Sequence, residues 1–417
     1  MWTPSSFSVN FSLALLSLTC WGSWGNTAKA QPDRPFPLFY LSWTAGVFAT
    51  ALIFFLTFGG GQVWSDEAED IDSHDASVIW AALAAGAIFD AANVLLVLGI
   101  QLYGLALAFP VGIGTALVLG TLLTYFESRA AVLRPDLLCW GVSIAFVAIC
   151  CQVRAKAVVD GVQLEVAAAA EADSHFSMST FSSAPSGGSD TEKAPILPKG
   201  DLGSSGSFRS GVAVCGLCGL LMSLWAPLEA KSMASPGGLT PYASFLCFAF
   251  AMLFVSPAIC VALHRWPVRR DDNSSSATTR PTSRRPSSSD TNDGHRGAAA
   301  LFRTFVSSSW LEHQWGLLGG AVWATGTAAN LVSGASIGLA LSYAIGQAAP
   351  MVATSWGLFY YKEFDISAAK VFEASAGRTS MARAISLAAR KTWLTNRWVT
   401  GMYLCYIAAI LLIASSR

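Results

Sequence analysis

Apolar stretches close to the length that carries a helix across a hydrocarbon core recur ten times along this chain. They fall at 9–30, 39–60, 78–102, 104–126, 137–154, 210–230, 241–263, 315–336, 338–360 and 398–415. About 20 apolar residues span a bilayer core of about 30 Å, and a backbone placed there must satisfy its own N–H and C=O groups, as a helix does. Composition agrees: 53% of the 417 residues are apolar and 12% are Asp, Glu, Lys or Arg, against about 25% charged in soluble domains. The expected fold class is an all-α integral membrane protein with ten transmembrane helices. A net charge of zero gives no sign of a nucleic-acid partner. The partners to expect are the lipid bilayer and a small-molecule solute, and nothing here bears on oligomeric state or on which membrane holds the chain.

The apolar run Phe11 to Cys20, followed by Ala28-Lys29-Ala30, has the outline of a signal peptide. Residues 1–10 carry no basic charge, however, and the run continues through Trp21, Gly22, Ser23, Trp24 and Gly25. It reads as the first membrane helix. All nine cysteines lie in or beside apolar stretches, and Cys215-x-x-Cys218 has no second pair, so the cysteines read as small packing residues without a metal.

Internal similarity is the next constraint. Gly104-Leu-Ala-Leu-Ala-Phe-Pro-Val-Gly112 matches Gly338-Leu-Ala-Leu-Ser-Tyr-Ala-Ile-Gly346 without a gap. Upstream, Gly86 and Ala91-Ala92-Asn93 recur as Gly320 and Ala328-Ala329-Asn330, while Trp24 to Lys29 has a looser echo in Trp225 to Lys231. The chain therefore reads as five helices twice, 1–154 and 210–417, joined by a hydrophilic, disordered loop over 155–209. A second Ser/Arg-rich loop over 265–310 reads as disordered too. Residues 363–397 suit a short amphipathic helix around Ala382 to Ala389. Five helices per half invert the second half relative to the first, the plan of many transporters.

Charge sets the expected orientation. Segment 61–77 holds six acids and no Lys or Arg, while 264–312 holds eight Arg and 362–397 seven Lys or Arg. The basic loops and 155–209 are expected in the cytosol and both termini outside. Arg129 and Arg134 run against this, and glycosylation at Asn273-Ser-Ser275 would reverse it.

Blocks spread over nearly all ten stretches carry a resemblance. They are Cys20-Trp-Gly-Ser-Trp-Gly-Asn-Thr-Ala-Lys29, Asn93-Val-Leu-Leu-Val97, Leu107-Ala-Phe-Pro-Val-Gly-Ile-Gly114, Ala226-Pro-Leu-Glu229, Leu239-Thr-Pro-Tyr242, Ala349-Pro-Met-Val352, Ser355-Trp-Gly-Leu358 and Lys362-Glu-Phe364. Together they resemble the ureide permease family and the related glucose/rhamnose-type sugar transporters of the drug/metabolite transporter superfamily. The resemblance implies a secondary active, proton-coupled transporter, not an enzyme, of a small polar solute such as a ureide or nucleobase. A monosaccharide or nucleotide-sugar substrate is the alternative within the superfamily, and a non-transporting membrane sensor or scaffold is the alternative outside it. The central loop lacks the Gly-x4-Gly-Lys-[Ser/Thr] pattern of plant ureide permeases, its nearest string being Gly187-Gly-Ser-Asp-Thr-Glu-Lys193. Nucleotide regulation there is not expected. No cofactor is expected beyond a proton as coupling ion.

Asp90 is the first candidate. A carboxylate at mid-helix facing lipid costs about 2.5–3.5 kcal/mol on insertion scales, so it must face the interior. There it serves either as the protonatable coupling group or as a hydrogen-bonding partner for a neighbouring helix, with the Thr327 hydroxyl the partner to expect. Glu229 is either a second ionisable site or a solvated helix end, and Lys29 is expected to snorkel to the surface. Asn26, Asn93, Gln101, Asn330 and Gln347 suit hydrogen bonding to a solute or between helices. Trp21, Trp24, Trp225 and Trp323 suit stacking on a ring or packing. Pro110 and Pro350 each remove a backbone hydrogen bond and are the gating candidates. Gly104, Gly112, Gly114, Gly338 and Gly346 are expected to admit close helix contact. Arg284-Arg285-Pro286-Ser287 has the form of a basophilic kinase site.

Overall fold

The computed structural model describes residues 1–65, 76–103, 108–127, 132–180, 205–234, 237–265, 293–362, 364, 366 and 381–417. Among them the elements are helices: α1 Phe7–Ser23, α2 Gly25–Lys29, α3 Phe36–Thr57, α4 Ala76–Tyr103, α5 Gly114–Glu127, α6 Pro135–Thr180, α7 Ser205–Ser232 and α8 Pro241–Arg265. There follow α9 Asp293–Ser307, α10 Trp310–Ile337, α11 Leu339–Gly346, α12 Ala349–Ser355 and α13 Met381–Ala414. Five-residue π-helical turns, Phe109–Ile113 and Trp356–Tyr360, adjoin α5 and α12. A lone antiparallel bridge joins Trp64 to Leu239.

Seven of the described helices are long and apolar enough to cross a membrane: Phe36–Thr57, Ala76–Gly99, Pro110–Glu127, Pro135–Val159, Gly211–Ser232, Pro241–Leu263 and Ile385–Ala414. The chain is an all-α, multi-pass membrane protein. The other three expected spans differ for physical reasons. The 9–30 stretch divides at Trp24 into the 17 residues of α1 and the five of α2. The 28-residue α10 is rich in Gly, Ala, Thr, Ser and Asn, which make up most of its buried face beside Trp323, Leu331, Val332 and Ile337. The stretch 338–360 is broken into α11 and α12.

Packing follows glycine. α10 lies on α3, where a Cβ at Gly320 would strike the backbone of Trp43, and α4 lies on α8, where one at Gly86 would strike the backbone of Phe248. α1 rests on α12 and α5 on α7, again through glycines: Gly22 meets the Ala349 carbonyl, and Gly219 meets the Thr115 side chain of α5 and the Gly112 carbonyl of the adjoining π-helical turn. α1 also packs on α10, α4 on α7, and α6 on α13. Without side chains at these points, backbones approach closely and gain dispersion contacts that lipid cannot supply.

Several local expectations change. Gly338 has φ 94° and ψ 130° between α10 and α11, so its role is a backbone conformation open to glycine rather than close helix contact. The reversal lets Asn330 Nδ2 donate to the Ser342 carbonyl at 2.8 Å and Ser342 Oγ to the Asn330 carbonyl at 2.9 Å. Part of each expected disordered loop is helical: α6 runs on to Thr180, and 293–307 form the amphipathic α9, which packs on α8. Instead of a short separate helix at Ala382 to Ala389, residues 381–414 form one continuous helix. The acidic run 66–75, Gly104, Arg129, the Asn273 sequon, Gly187–Lys193 and Arg284–Ser287 lie outside the described residues.

Candidate functional site

The candidate tryptophans, far apart in the sequence, converge. Trp21 from α1, Trp225 from α7 and Trp323 from α10 surround one point, with ring centroids 6.0 Å apart for Trp21–Trp225 and 6.5 Å for Trp21–Trp323. Phe89 of α4 closes the group at 5.1 Å from Trp323 and 5.8 Å from Trp225. Trp24 stands 5.2 Å from Trp43, which is 5.2 Å from Trp323. Large rigid rings held by several helices cannot all interdigitate. A cavity of about 210 Å³ remains, lined by Trp21, Trp24, Trp225, Trp323, Phe89, Asn93, Leu96, Ile113, Met222 and, from the stretch after Ile345, Gly346, Gln347, Ala349 and Pro350, among others.

That segment is where the backbone opens. α11 ends at Gly346 and α12 begins at Ala349, leaving Gln347 and Ala348 between them, and Gln347, Ala349 and Pro350 face the cavity. Pro350 sits in the first turn of α12, where its missing N–H breaks no helical bond. The break keeps backbone bonds of its own, with the Gln347 N–H donating to the Tyr343 carbonyl at 2.9 Å and the Ala348 N–H to the Ile345 carbonyl at 3.0 Å, and irregular backbone is tolerated inside a membrane protein where it borders a cavity. Pro110 does not line this cavity. It lies in the π-helical turn Phe109–Ile113, whose last residue does, and π turns are a recognised cause of bends.

The cavity's side-chain amides are Asn93 and Gln347. Asn330 is fully buried behind the wall, stapling α10 to α11. Asn26 is half-buried on α2 and away from the cavity, and Gln101 lies in α4 with its side chain outside the described residues. Lys29 is exposed, with Nζ 4.0 Å from the Tyr361 ring centre.

Asp90 is fully buried and does not border the cavity. Its partner is not Thr327, whose Oγ1 instead accepts from Trp21 Nε1 at 3.0 Å. Tyr40 of α3 donates its hydroxyl to Asp90 Oδ1 at 2.6 Å, and Ser256 of α8 donates to Oδ2 at 2.9 Å and Oδ1 at 3.1 Å. Both oxygens are thus satisfied by neutral hydroxyls, from two helices that the sequence did not connect to it. Asn93 Nδ2 donates to the Tyr40 oxygen at 3.2 Å, so a chain of hydrogen bonds links the cavity wall to the carboxylate.

Glu229 is not a solvated helix end. It is fully buried near the end of α7, away from the cavity. Ser244 donates to its Oε2 at 2.5 Å and contacts Ser232, while Oε1 has no partner. Tyr40, Ser256, Ser244, Phe89 and Met222 were missed because Ser and Tyr inside apolar helices, and Phe or Met among other apolar residues, carry no signal of direction in one dimension.

None of the protein-family models and none of the curated proteins matches this chain. A solved structure described only as the crystal structure of a protein aligns over 95% of this chain and 99% of its own, at 15% identity and a TM-score of 0.43. A likeness at that level carries no argument about the site.

Proposed function

We propose that the protein is a proton-coupled secondary transporter of a small, ring-shaped polar solute, with ten membrane spans arranged as two inverted five-helix repeats. One observation carries this reading: helices from both halves of the sequence together build one cavity with aromatic faces, two amides and a broken helix on its wall. In this reading α1 with α2, α10, and α11 with α12 complete the ten spans. Pairing supports the repeat, because exchanging the halves maps α4 on α7 and α8 onto α10 on α1 and α3. It likewise maps α5 on α7 onto the contact of α11 and α12 with α1, and leaves α6 on α13 unchanged. Two halves of similar packing can exchange shapes around a fixed site, which is what alternating access needs.

Asp90 is the coupling group of this reading, and Asn93 and Gln347 the hydrogen-bonding groups for the solute. Flat aromatic faces and in-plane amides suit an imide or ureide ring, which favours a ureide or nucleobase over a monosaccharide. The volume suits a solute smaller than the drug-sized ligands that fill pockets of about 300–1,000 Å³. The experiment is pH-gradient-driven uptake of labelled uracil into proteoliposomes, with competition by allantoin, glucose and a nucleotide sugar. Competition by allantoin alone supports the ureide reading. Glucose as the effective competitor sinks it, and no uptake of any of the four above empty liposomes sinks transport itself.

Gly346 supplies an independent check. A Cβ there would lie 2.6 Å from Trp21 Cζ3 and 3.1 Å from Asn330 Nδ2. Gly346→Val is expected to drive the Trp21 ring into the cavity and raise KM at least about tenfold, or about 1.4 kcal/mol. Unaltered KM with well-expressed protein would count against this cavity as the solute site.

A further inference from the structure

Asp90 does not touch the cavity, so a solute there can sense its proton only through another group. Tyr40 is the group in between, donating to Asp90 at 2.6 Å and accepting from Asn93 at 3.2 Å. It is 1% exposed and its ring is held by stacking on Trp43 at 5.3 Å and Phe36 at 5.3 Å. A phenol has one proton to give. While Asp90 is ionised that proton goes to the carboxylate, so the Tyr40 oxygen can only accept from Asn93. Asn93 must then turn its NH2 toward Tyr40, leaving its carbonyl oxygen for the cavity.

Resting on the transport reading above, we infer that Tyr40 is a positioning residue that reverses the hydrogen-bonding face of Asn93 when Asp90 takes up a proton. The proton adds to Asp90 Oδ1, which becomes an O–H donor to the Tyr40 oxygen. The Tyr40 O–H swings to the other side, now donating to Asn93. The Asn93 amide turns over to accept it and presents its NH2 to the cavity. No covalent bond other than the new O–H forms, and Ser256 remains able to donate to Oδ2. The remaining titratable group facing Asp90 is the Cys260 thiol of α8, while on α7 Cys218 donates to the Ala92 carbonyl at 3.4 Å. Among the described residues Asp90 has hydroxyl partners and no ion pair.

The sign of coupling follows. The proton-loaded protein offers the solute a donor, and the deprotonated protein offers it an acceptor. A solute that presents a carbonyl to Asn93, as an imide or ureide does, therefore binds with the proton and leaves with it. The arrangement specifies symport for acceptor-bearing solutes.

The test is pH-jump infrared difference spectroscopy on the full chain in liposomes, with isotope-labelled asparagine and no solute. In the wild type, acidification is expected to produce a protonated-carboxyl band, absent from Asp90→Asn, together with a shift of an asparagine amide band, absent from Asn93→Ser. Tyr40→Phe is expected to keep the carboxyl band and lose the amide shift, and Ser256→Ala, which removes the other hydroxyl, to keep both. An amide shift that survives in Tyr40→Phe overturns the inference. So does a wild-type carboxyl titration with no Asn93 shift, an outcome readable without any Tyr40 variant that folds. A Ser256→Ala spectrum that loses the amide shift also overturns it, because the proton would then be relayed on the other side. In proteoliposomes, KM for labelled uracil is expected to lose its pH dependence in Tyr40→Phe, and an unchanged pH profile overturns the relay. Intact band shifts with Asp90→Asn still accumulating uracil sink the transport coupling alone.

Discussion

Asp90→Asn is expected to abolish accumulation of solute against its gradient while the protein remains inserted and monodisperse. The amide keeps the size of the carboxyl: with its oxygen at the Oδ1 position it can still accept from Tyr40 and Ser256, which donate there at 2.6 and 3.1 Å, while its NH2 can donate to the Ser256 hydroxyl oxygen. What it loses is the change of charge. A coupled transporter converts the proton gradient into a solute gradient through differential binding of the two ligands, and a coupling of about 1–3 kcal/mol corresponds to roughly 5–150-fold. Accumulation driven by an imposed pH gradient, measured with labelled uracil, should therefore fall by at least about tenfold, to passive equilibration. Wild-type accumulation in Asp90→Asn would show that the carboxylate is a structural hydrogen-bond acceptor and nothing more.

The largest structural effect is expected at the glycine contacts. Gly320→Val and Gly86→Val each place a side chain against the backbone of a facing helix, at Trp43 and Phe248. A flexible side chain can move aside, whereas a helix backbone can yield only by separating the two helices. Overpacking typically costs about 1–3 kcal/mol, and the cost here should exceed that range because the surrounding aromatic cluster would part as well. Gly216 on α7 is the control, since a Cβ there meets nothing within 4 Å. Fluorescence-detected size exclusion should show loss of the monodisperse peak in the first two variants and its retention in Gly216→Val. Equal tolerance of all three would contradict the helix pairing itself.

The two predictions rest on different kinds of information. Gly86 and Gly320 were visible in the sequence as a recurring pair, and the structure puts both on the backbone of a facing helix, in the pairings of α4 with α8 and α10 with α3. The tryptophan candidates were visible as residue types suited to a ring. Trp21, Trp24, Trp225 and Trp323, with Asn93, Gln347 and Pro350, do share one cavity. Asn26, Asn330, Glu229 and Pro110 do not line it, although nothing in their spacing sets them apart from those that do. Hydropathy identifies a residue that must avoid lipid, but every inward direction satisfies it. Glu229 illustrates the point: two residues from the exposed Lys231, it nevertheless turns fully inward to Ser244.

Seven of the apolar spans and the need for Asp90 to be interior follow from the amino-acid order alone, because the cost of exposing charge or backbone to hydrocarbon is local and large. Which helices cross at which glycine, and which hydroxyl meets Asp90, are long-range matters. Tyr40 and Asp90 are 50 residues apart, and Ser256 and Asp90 are 166 apart. Such partners are chosen by the packing of several helices at once, each contact worth about 1 kcal/mol, and no single stretch of sequence carries that information. Only the tertiary structure brings Tyr40 between the carboxylate and the cavity.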